Sequence, residues 1–422
     1  MTPRTFASSA SLSPLAFRTA TPSDVDRLIE IHTSAFPDPR RHPERRTNFV
    51  ANPLGDLDAL WVAEDAGEIV AHAFLFPLRA WFAGGTVPVA GIATVGVAPE
   101  ARGRGVGAAF LAHLHERADA QKACATVLYP FRQGFYARHG YAPVTPNRRL
   151  RLHPAAIPGS WREDAASQGI VVRAVRSPGG SPAADRTAIV NAYVRAAART
   201  HGWLVRPMPF WERRFADERR VWIVATQGRK LTGYVSWSLD QVESHAATRL
   251  VVHELVADDD PTKRALLGAV GAQRDQVADV EIEVDARDPL DRALLDADRS
   301  RFGTIDVEHV LGVVAGGPMV RLVDVARGLT ARTYAADGSL DLVIDDRPPL
   351  HVVVADGKAK LSLPRQTRAP LTIQRAALAA VLYGGLSPSD AVRLGWAHGD
   401  EPAVSRADAI FASPPFFALD AY

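Results

Sequence analysis

From Thr21 the chain reads TPSDVDRLIEIHTSAF, where Val25, Leu28, Ile29 and His32 fall on one helical face. Thr21 supplies an N-cap, Pro22 a first-turn proline and Asp24 the acid of a T-x-x-D capping box, so a helix is predicted here. The period then shortens. LWVAEDAGEIVAHAFLF reads as two β-rich runs split by a short acidic turn with glycine, and TVPVAGIATVGV follows the AGG turn at 83–85 as another long strand. These three predict an antiparallel meander. PEARGRGVGAAFLAHL comes next, a glycine and arginine loop opening a helix that ends near Gln121 and Lys122. The strand ACATVLYPF and the segment QGFYARHGYAPV, a short helix broken by Gly140 before a last extended piece, complete the unit.

The same order returns further on in blurred form. RSPGGSPAAD, at 176–185, has loop composition. RTAIVNAYVRAAARTH then predicts a helix, VWIVATQGRKLTGYVSWSL and TRLVVHELVA predict strands, PTKRALLGAVGAQRDQVA a helix, and VEIEVD a strand. Where the first copy has arginine and glycine before its helix, this one has ADDDPTKR, whose acids would repel a phosphate. A third unit begins near Gly317. LDLVIDD, LHVVVADGKAKLSL and APLTI are short strands, with Asp356-Gly357 at a hairpin turn. IQRAALAAVLYGG and SPSDAVRLGWA are helices, the second opened by Ser387, Pro388 and Asp390, and the sequence closes on SPPFFALDAY.

Composition narrows the class. At 422 residues, two or three domains are expected, and 47% hydrophobic with 23% charged residues describes a soluble globular chain. The net charge of +2 demands neither a nucleic acid nor a membrane surface as partner. Cys124 is the only cysteine, which excludes an intramolecular disulfide framework, and within ACATVLY it reads as an inert core thiol. The first residues carry no signal-peptide apolar stretch and no run is long enough for a membrane span, so a cytoplasmic protein is expected.

The loop carries the chemistry. A helix N-terminus offers unpaired N–H groups and partial positive charge to an anion, provided no side chain covers the backbone. In PEARGRGVGA, Gly103, Gly105 and Gly107 leave the backbone bare and Arg102 and Arg104 add charge, a pattern suited to a diphosphate. The letters also satisfy the G-x-G-x-x-A dinucleotide fingerprint. Against that reading, APEAR separates the loop from its strand, the following strand ends without an acid for a ribose, and the strand context is antiparallel. A plain glycine and arginine surface loop is the remaining alternative.

V-x-V-x-P-x-x-R-x-x-G-x-G before a helix, with F-Y-x-x-x-G-Y about 30 residues on, resembles the GNAT N-acetyltransferases, which bind acetyl-coenzyme A. More narrowly, the chain resembles the Eis (enhanced intracellular survival) family of actinobacteria. The matching stretches are TVGVAPEARGRGVGAAF, YPFRQGFYARHGYAPVT, MVRLVDVARGLTARTYA, ADGKAKLSL, AVLYGGLSPSDAVRL and the aromatic end FFALDAY. The resemblance implies an α+β fold. Two tandem GNAT folds, each a mixed sheet flanked by helices, would occupy 1–150 and 151–316, the second degenerate, with a sterol-carrier-protein-like α/β domain at 317–422.

It implies further that Val95, Gly96 and Val97 present edge backbone to the pantetheine arm and thioester. Arg102, Gly103, Arg104, Gly105, Val106, Gly107 and Ala108 would hold the diphosphate, and Phe131 and Arg132 would make the second coenzyme contact. The family loop often has a third arginine where this chain has Gly103, a departure expected to loosen the phosphate grip. Amine acetylation needs the ammonium to lose a proton and the departing thiolate to gain one. Tyr136 matches the family's general acid, a phenol that is protonated at neutral pH with pKa about 10. Composition alone would read it as a core aromatic beside Phe135 and Tyr141. The resemblance assigns the general base to the C-terminal carboxylate, here that of Tyr422, with unperturbed pKa ~3.5. Asp420, His139 and His253 are fallbacks.

Acceptors implied by the resemblance carry several primary amines, aminoglycosides above all, and in some members are lysine side chains. A polycationic acceptor calls for pocket carboxylates, for which Asp24, Asp26, Glu44 and Asp420 are candidates. Trp203, Phe210 and Trp211 are candidates for aromatic walls of the cleft. No metal is implied, and a homo-oligomer, hexameric in the family, is expected. The alternatives are acetylation of a protein lysine, polyamine or arylamine, and, from another class, a non-catalytic binder of apolar ligands.

Overall fold

The computed structural model describes residues 14–37, 44–82, 84–175, 183–242, 247–294, 310–345, 347–364 and 369–420. Tyr422 and positions 176–182 of the predicted loop lie outside them. The fold is α+β, three mixed sheets with helices packed on their faces.

The first sheet takes β1 (Ala16–Thr19), β2 (Leu60–Asp65), β3 (Glu68–Phe82), β4 (Gly85–Val97), β5 (Ala125–Leu128) and β6 (Ala142–Pro143). β2, β3 and β4 form the antiparallel meander that the strand periods predict, and β4 meets β5 in parallel. Its helices are α1 (Val25–Ala35), α2 (Arg45–Val50), α3 (Val106–Ala120) and α4 (Gln133–Ala137). Residues Ile69 to Phe76 of β3 are buried without alternation because helices cover both faces of the sheet. The predicted capping box is present, but Pro22–Asp24 forms a 3-10 turn ahead of α1, and the Asp24 carboxylate takes bonds from Thr21 N–H (2.7 Å) and Arg18 (2.6 Å).

The second sheet takes β7 (Asn147–Leu152), β8 (Ile170–Ala174), β10 (Val221–Gln227), β11 (Lys230–Val242), β12 (Ala247–Ala257), β13 (Asp279–Val284) and β14 (Gly312–Ala315), with β9 (His201–Leu204) lying outside it. Around it pack α5 (Ser160–Ser167), α6 (Ala183–Ala197), α7 (Met208–Ala216), α8 (Asp260–Gly271) and the short α9 (Leu290–Ala293). Two strands leave their sequence neighbours for the first sheet. β9 pairs with β3, and β15 (Met319–Leu322) runs antiparallel between β5 and β6. The boundaries at 150 and 316 therefore remain proposed divisions of the sequence across which strands are exchanged.

The third sheet holds β16 (Gly338–Ile344), β17 (Arg347–Ala355), β18 (Lys358–Ser362), β19 (Leu371–Ile373) and β20 (Ala397–His398). Helices α10 (Val325–Ala331), α11 (Arg375–Leu382), α12 (Pro388–Arg393) and α13 (Glu401–Phe411) accompany it. Ser387 caps α12 as its sequence predicts, accepting from Asp390 N–H at 3.0 Å. Among the described residues no helix is long and apolar enough to cross a membrane. Cys124 is buried in the first core, and burial pushes its thiol up to about 11, which keeps it protonated and inert.

Candidate active site

Strands β4 and β5 pair only from Val89–Ile92 against Ala125–Leu128. Beyond that point β4 continues to Val97 while the chain of β5 turns away at Tyr129, so the two strands open into a wedge. A β-bulge sits in the wedge. His72 faces Gly96 and Phe74 faces Ala93, leaving one extra residue on β4, and Thr94 adopts φ +50° to accommodate it. Gly96 is required here by packing, because a Cβ at that position would lie 2.6 Å from His72 Nε2. His72 is fully buried against the rings of His32 (5.6 Å) and Phe49 (5.4 Å), and neither of its ring nitrogens has a hydrogen-bond partner among the described residues. Burial holds its pKa down to about 3, with the neighbouring His32 adding to the shift, so it is neutral at physiological pH.

After Val97 the chain makes a 3-10 turn, Pro99–Ala101, and enters α3 through Gly103 and Gly105, at φ +76° and +86°. Gly105 is the N-cap and carries no side chain to bond the first-turn N–H groups of α3, the arrangement a helix N-terminus needs to receive an anion. Val106 is buried and anchors the helix, while Gly107 and Ala108 are half-exposed beside it. The arginines are committed elsewhere. Arg102 donates to Val97 O (3.0 Å) and Ser34 Oγ (3.1 Å), and Arg104 pairs with Asp65 (2.7 Å). The bare backbone of this loop, more than its charged side chains, is what suits a diphosphate.

Tyr136 lies on α4, only 2% exposed, and burial raises its pKa to about 12. Its ring is held edge-on between Phe131 (5.6 Å) and Tyr141 (5.8 Å). The Tyr141 hydroxyl is tied to Thr126 (2.8 Å) and His115 (3.0 Å), whereas that of Tyr136 makes no hydrogen bond among the described residues. Phe131 is 68% exposed, and Arg132 is the exposed N-cap of α4.

Thr94, Val95, Phe131 and Tyr136 line a cleft of about 770 Å³ that α7 and the loop after it also line. Of the aromatic candidates only Phe210 lines this cleft; Trp203 and Trp211 are buried in the core of the second unit. Of the four candidate carboxylates only Glu44 lines it. Asp24 is locked to Arg18, and Asp26 points outward with Arg46.

Asp420 is the structural surprise. It is 2% exposed and held by Arg206 (2.8 and 3.0 Å) and Arg214 (2.7 Å), which also bind the buried Glu254, joined there by Arg220 at 3.4 Å. The arginines hold the Glu254 carboxyl far below its ordinary range despite its burial, so Glu254 is ionised. A free carboxylate here would be a fallback base; this one is already neutralised. Tyr129 Oη donates to Asp420 O at 3.2 Å, which brings the tail alongside the wedge. His139 lies against Phe135 with its ring tilted by 59°, and His253 bonds Ser238 (2.9 Å) on the wall of a different cavity. Sequence reasoning missed His72 and the arginines of WERRFADERR, since a strand histidine and a charge run both read as ordinary packing and solvated surface. Among the described residues no group of His, Cys, Asp or Glu is arranged to hold a metal ion.

Residues 16–144 match an acetyltransferase (GNAT) domain model, 202–322 match a second acetyltransferase (GNAT) domain model, and 325–418 match a sterol carrier protein domain. N-acetyltransferase Eis of Mycobacterium tuberculosis (strain ATCC 25177 / H37Ra) is 27% identical over 381 residues, covering 84% of this chain and 87% of that protein. The chain belongs to the GNAT N-acetyltransferases of the Eis family. It is an acyltransferase dependent on acetyl-coenzyme A. Solved structures share the fold of this Eis-family protein along nearly the whole chain. A GCN5-related N-acetyltransferase from Anabaena variabilis has a TM-score of 0.80 at 20% identity, covering 97% of this chain and 100% of its own. Eis1 from Mycobacterium abscessus has 0.72 at 22%, covering 97% and 100%.

Proposed function

We propose that this Eis-family protein moves the acetyl group of acetyl-coenzyme A to a primary amine held in the 770 Å³ cleft, with Tyr136 as general acid and the α-carboxylate of Tyr422 as general base. The observation that carries this reading is the meeting, in one cleft, of the bulged end of β4 and Tyr136. In this reading Val95, Gly96 and Val97 present backbone to the thioester arm. The entrance from Arg102 through Ala108 takes the diphosphate, and Phe131 and Arg132 flank the coenzyme. The ammonium first gives one proton to the terminal carboxylate and the neutral nitrogen bonds to the thioester carbon; the carbon–sulfur bond breaks, the leaving thiolate takes the proton of Tyr136, and the second proton shed by the nitrogen restores the Tyr136 phenol. A phenol raised to about 12 stays protonated throughout the neutral range, as an acid for this step must.

The assignment of the base to Tyr422 is supported by the anchoring of Asp420 two residues earlier, against Arg206, Arg214 and Tyr129. The acceptor is an amine, and the Eis resemblance directs attention first to aminoglycosides. A homo-oligomer, hexameric by the same resemblance, belongs to this proposal too. Two variants test it. Tyr136→Phe should lower kcat by roughly 100-fold or more, and one residue added after Tyr422 should do the same, while calorimetry finds acetyl-coenzyme A affinity within about twofold of the parent. Unchanged kcat in either variant removes that residue from the mechanism, and no thiol release with any amine would leave a binding protein.

A further inference from the structure

The charge of the cleft says something about the acceptor that the family resemblance does not. Among the described residues its lining sets Arg45, Arg213, Arg214, Arg219 and Arg220 against two carboxylates, Glu44 and Asp217. Asp217 is already spent on Arg219 at 3.1 Å. Arg214 and Arg220, together with Arg206 behind them, share the two carboxylates Glu254 and Asp420, so this cluster carries more cation than anion. Burial consequently depresses the Arg220 pKa even beside Glu254. Arg213 meets only the neutral Asn48 amide oxygen, at 2.9 Å, and has no carboxylate partner among the described residues. The rest of the lining is uncharged or aromatic, Phe36, Phe131 and Phe210 standing beside aliphatic residues such as Leu54 and Ile92 and neutral polar ones such as Asn48 and Thr94.

We infer that the acceptor is a primary amine whose other end is an anion, a carboxylate or a phosphate, seated on the α7 side of the cleft with Arg213 as its principal contact. This rests on the acetyl-transfer reading and departs from it in one respect, setting an anion-ended amine ahead of the aminoglycosides to which the family resemblance points. A cleft partly shielded from water strengthens like-charge repulsion as well as attraction, so several ammonium groups facing these arginines would be penalised. One amine directed at β4 and Tyr136, with an anion at the far end, satisfies both walls. The bidentate fork of arginine suits carboxylate and phosphate alike.

The test uses acceptors of one chain length, namely 6-aminohexanoate, 6-aminohexyl phosphate and 1,6-diaminohexane, with kanamycin alongside. Each is titrated calorimetrically into the full-length protein saturated with coenzyme A, and its acetylation is followed in parallel by product mass. The expected result is at least tenfold tighter binding of the two anion-ended amines than of the diamine, and the stronger of the two names the anion. Arg213→Glu should invert that order, while Arg213→Lys, which keeps the charge, should preserve it. Equal or tighter binding of the diamine or kanamycin to the parent protein overturns the inference and leaves acetyl transfer standing. The expected binding order without acetylation of any amine overturns acetyl transfer and leaves the charge selectivity standing.

Discussion

The two GNAT units use one architecture for different ends. In the first, four residues of β4 pair in parallel with β5 before the strands part; in the second, Arg249–Val252 of β12 pair likewise with Asp279–Ile282 of β13. Both carry a one-residue bulge next to the parting, at Thr94–Val95 and at His253. Both then enter a helix, and there they differ. Gly105 leaves the N-terminus of α3 uncapped, whereas at α8 the Asp259 carboxylate accepts from Thr262 N–H at 2.8 Å and fills the anion position itself. Asp258 beside it is neutralised by Arg195 and Lys230. The second unit has kept the cleft, about 600 Å³, and closed the phosphate seat from within. Its retained service is to hold the tail, through Arg206, Arg214 and Gly202.

The largest expected effect comes from making the first entrance resemble the second. Gly105→Asp places a carboxylate where the diphosphate is to sit, at a residue with φ +86°. Acetyl-coenzyme A affinity should fall on the order of 100-fold by calorimetry, with little change in Tm. Retained affinity would mean that the helix entrance is not the coenzyme's seat.

A smaller loss is expected from the second unit's grip on the tail. Gly202, at φ +100°, lets Phe416 lie so close that a Cβ would come within 2.5 Å of its ring. Phe417 N–H adds a bond to His201 O at 2.9 Å, and Thr145 Oγ1 donates to Phe416 O at 2.7 Å. Gly202→Ala should displace this segment and lower kcat roughly 10- to 100-fold, with coenzyme affinity kept within about twofold. If kcat is unchanged, the tail does not position a catalytic group.

The smallest effect concerns acid stability. His72 in the first unit and His253 in the second are held neutral by burial, down to about 3 and about 4. An unfolded histidine binds its proton near pH ~6.5, so unfolding takes up protons below that value. The stability from these groups is complete above pH ~6.5 and is lost as pH falls towards their folded values. His72→Gln should flatten the decline of Tm between pH 6.5 and 4 by about 1–3 °C. Parallel profiles for parent and variant would show that His72 does not drive the acid loss.

What the sequence revealed follows the length scale of each feature. The R-x-x-G-x-G loop, the tyrosine after QGF and the capping boxes were legible because each is a local requirement met by adjacent residues. The bulge was not, since Thr94 takes the left-handed conformation without the glycine that usually announces it. The charge of the cleft was hidden for another reason. The arginines of WERRFADERR resemble a solvated helix face until folding sets Asn48 and Glu254 against them. Arg102 and Arg104 were read as phosphate ligands from their place in the motif, yet Ser34 and Asp65, both remote in sequence, claim their guanidinium groups. Trp203 and Trp211 looked like walls of the cleft between the two units because their composition suits one, and pack around Tyr193 instead, with Trp203 lining the second, 600 Å³ cavity.

Four residues, Met319–Leu322, lie as a slat between β5 and β6, hydrogen-bonded to both. The catalytic half is thus completed by chain made almost two hundred residues after β5, so it cannot finish folding on the ribosome before the third unit has begun to emerge. Excised at residue 150, it would present two raw strand edges and associate through them. With strands exchanged in this way, its two GNAT units and its sterol-carrier unit are not interchangeable cassettes.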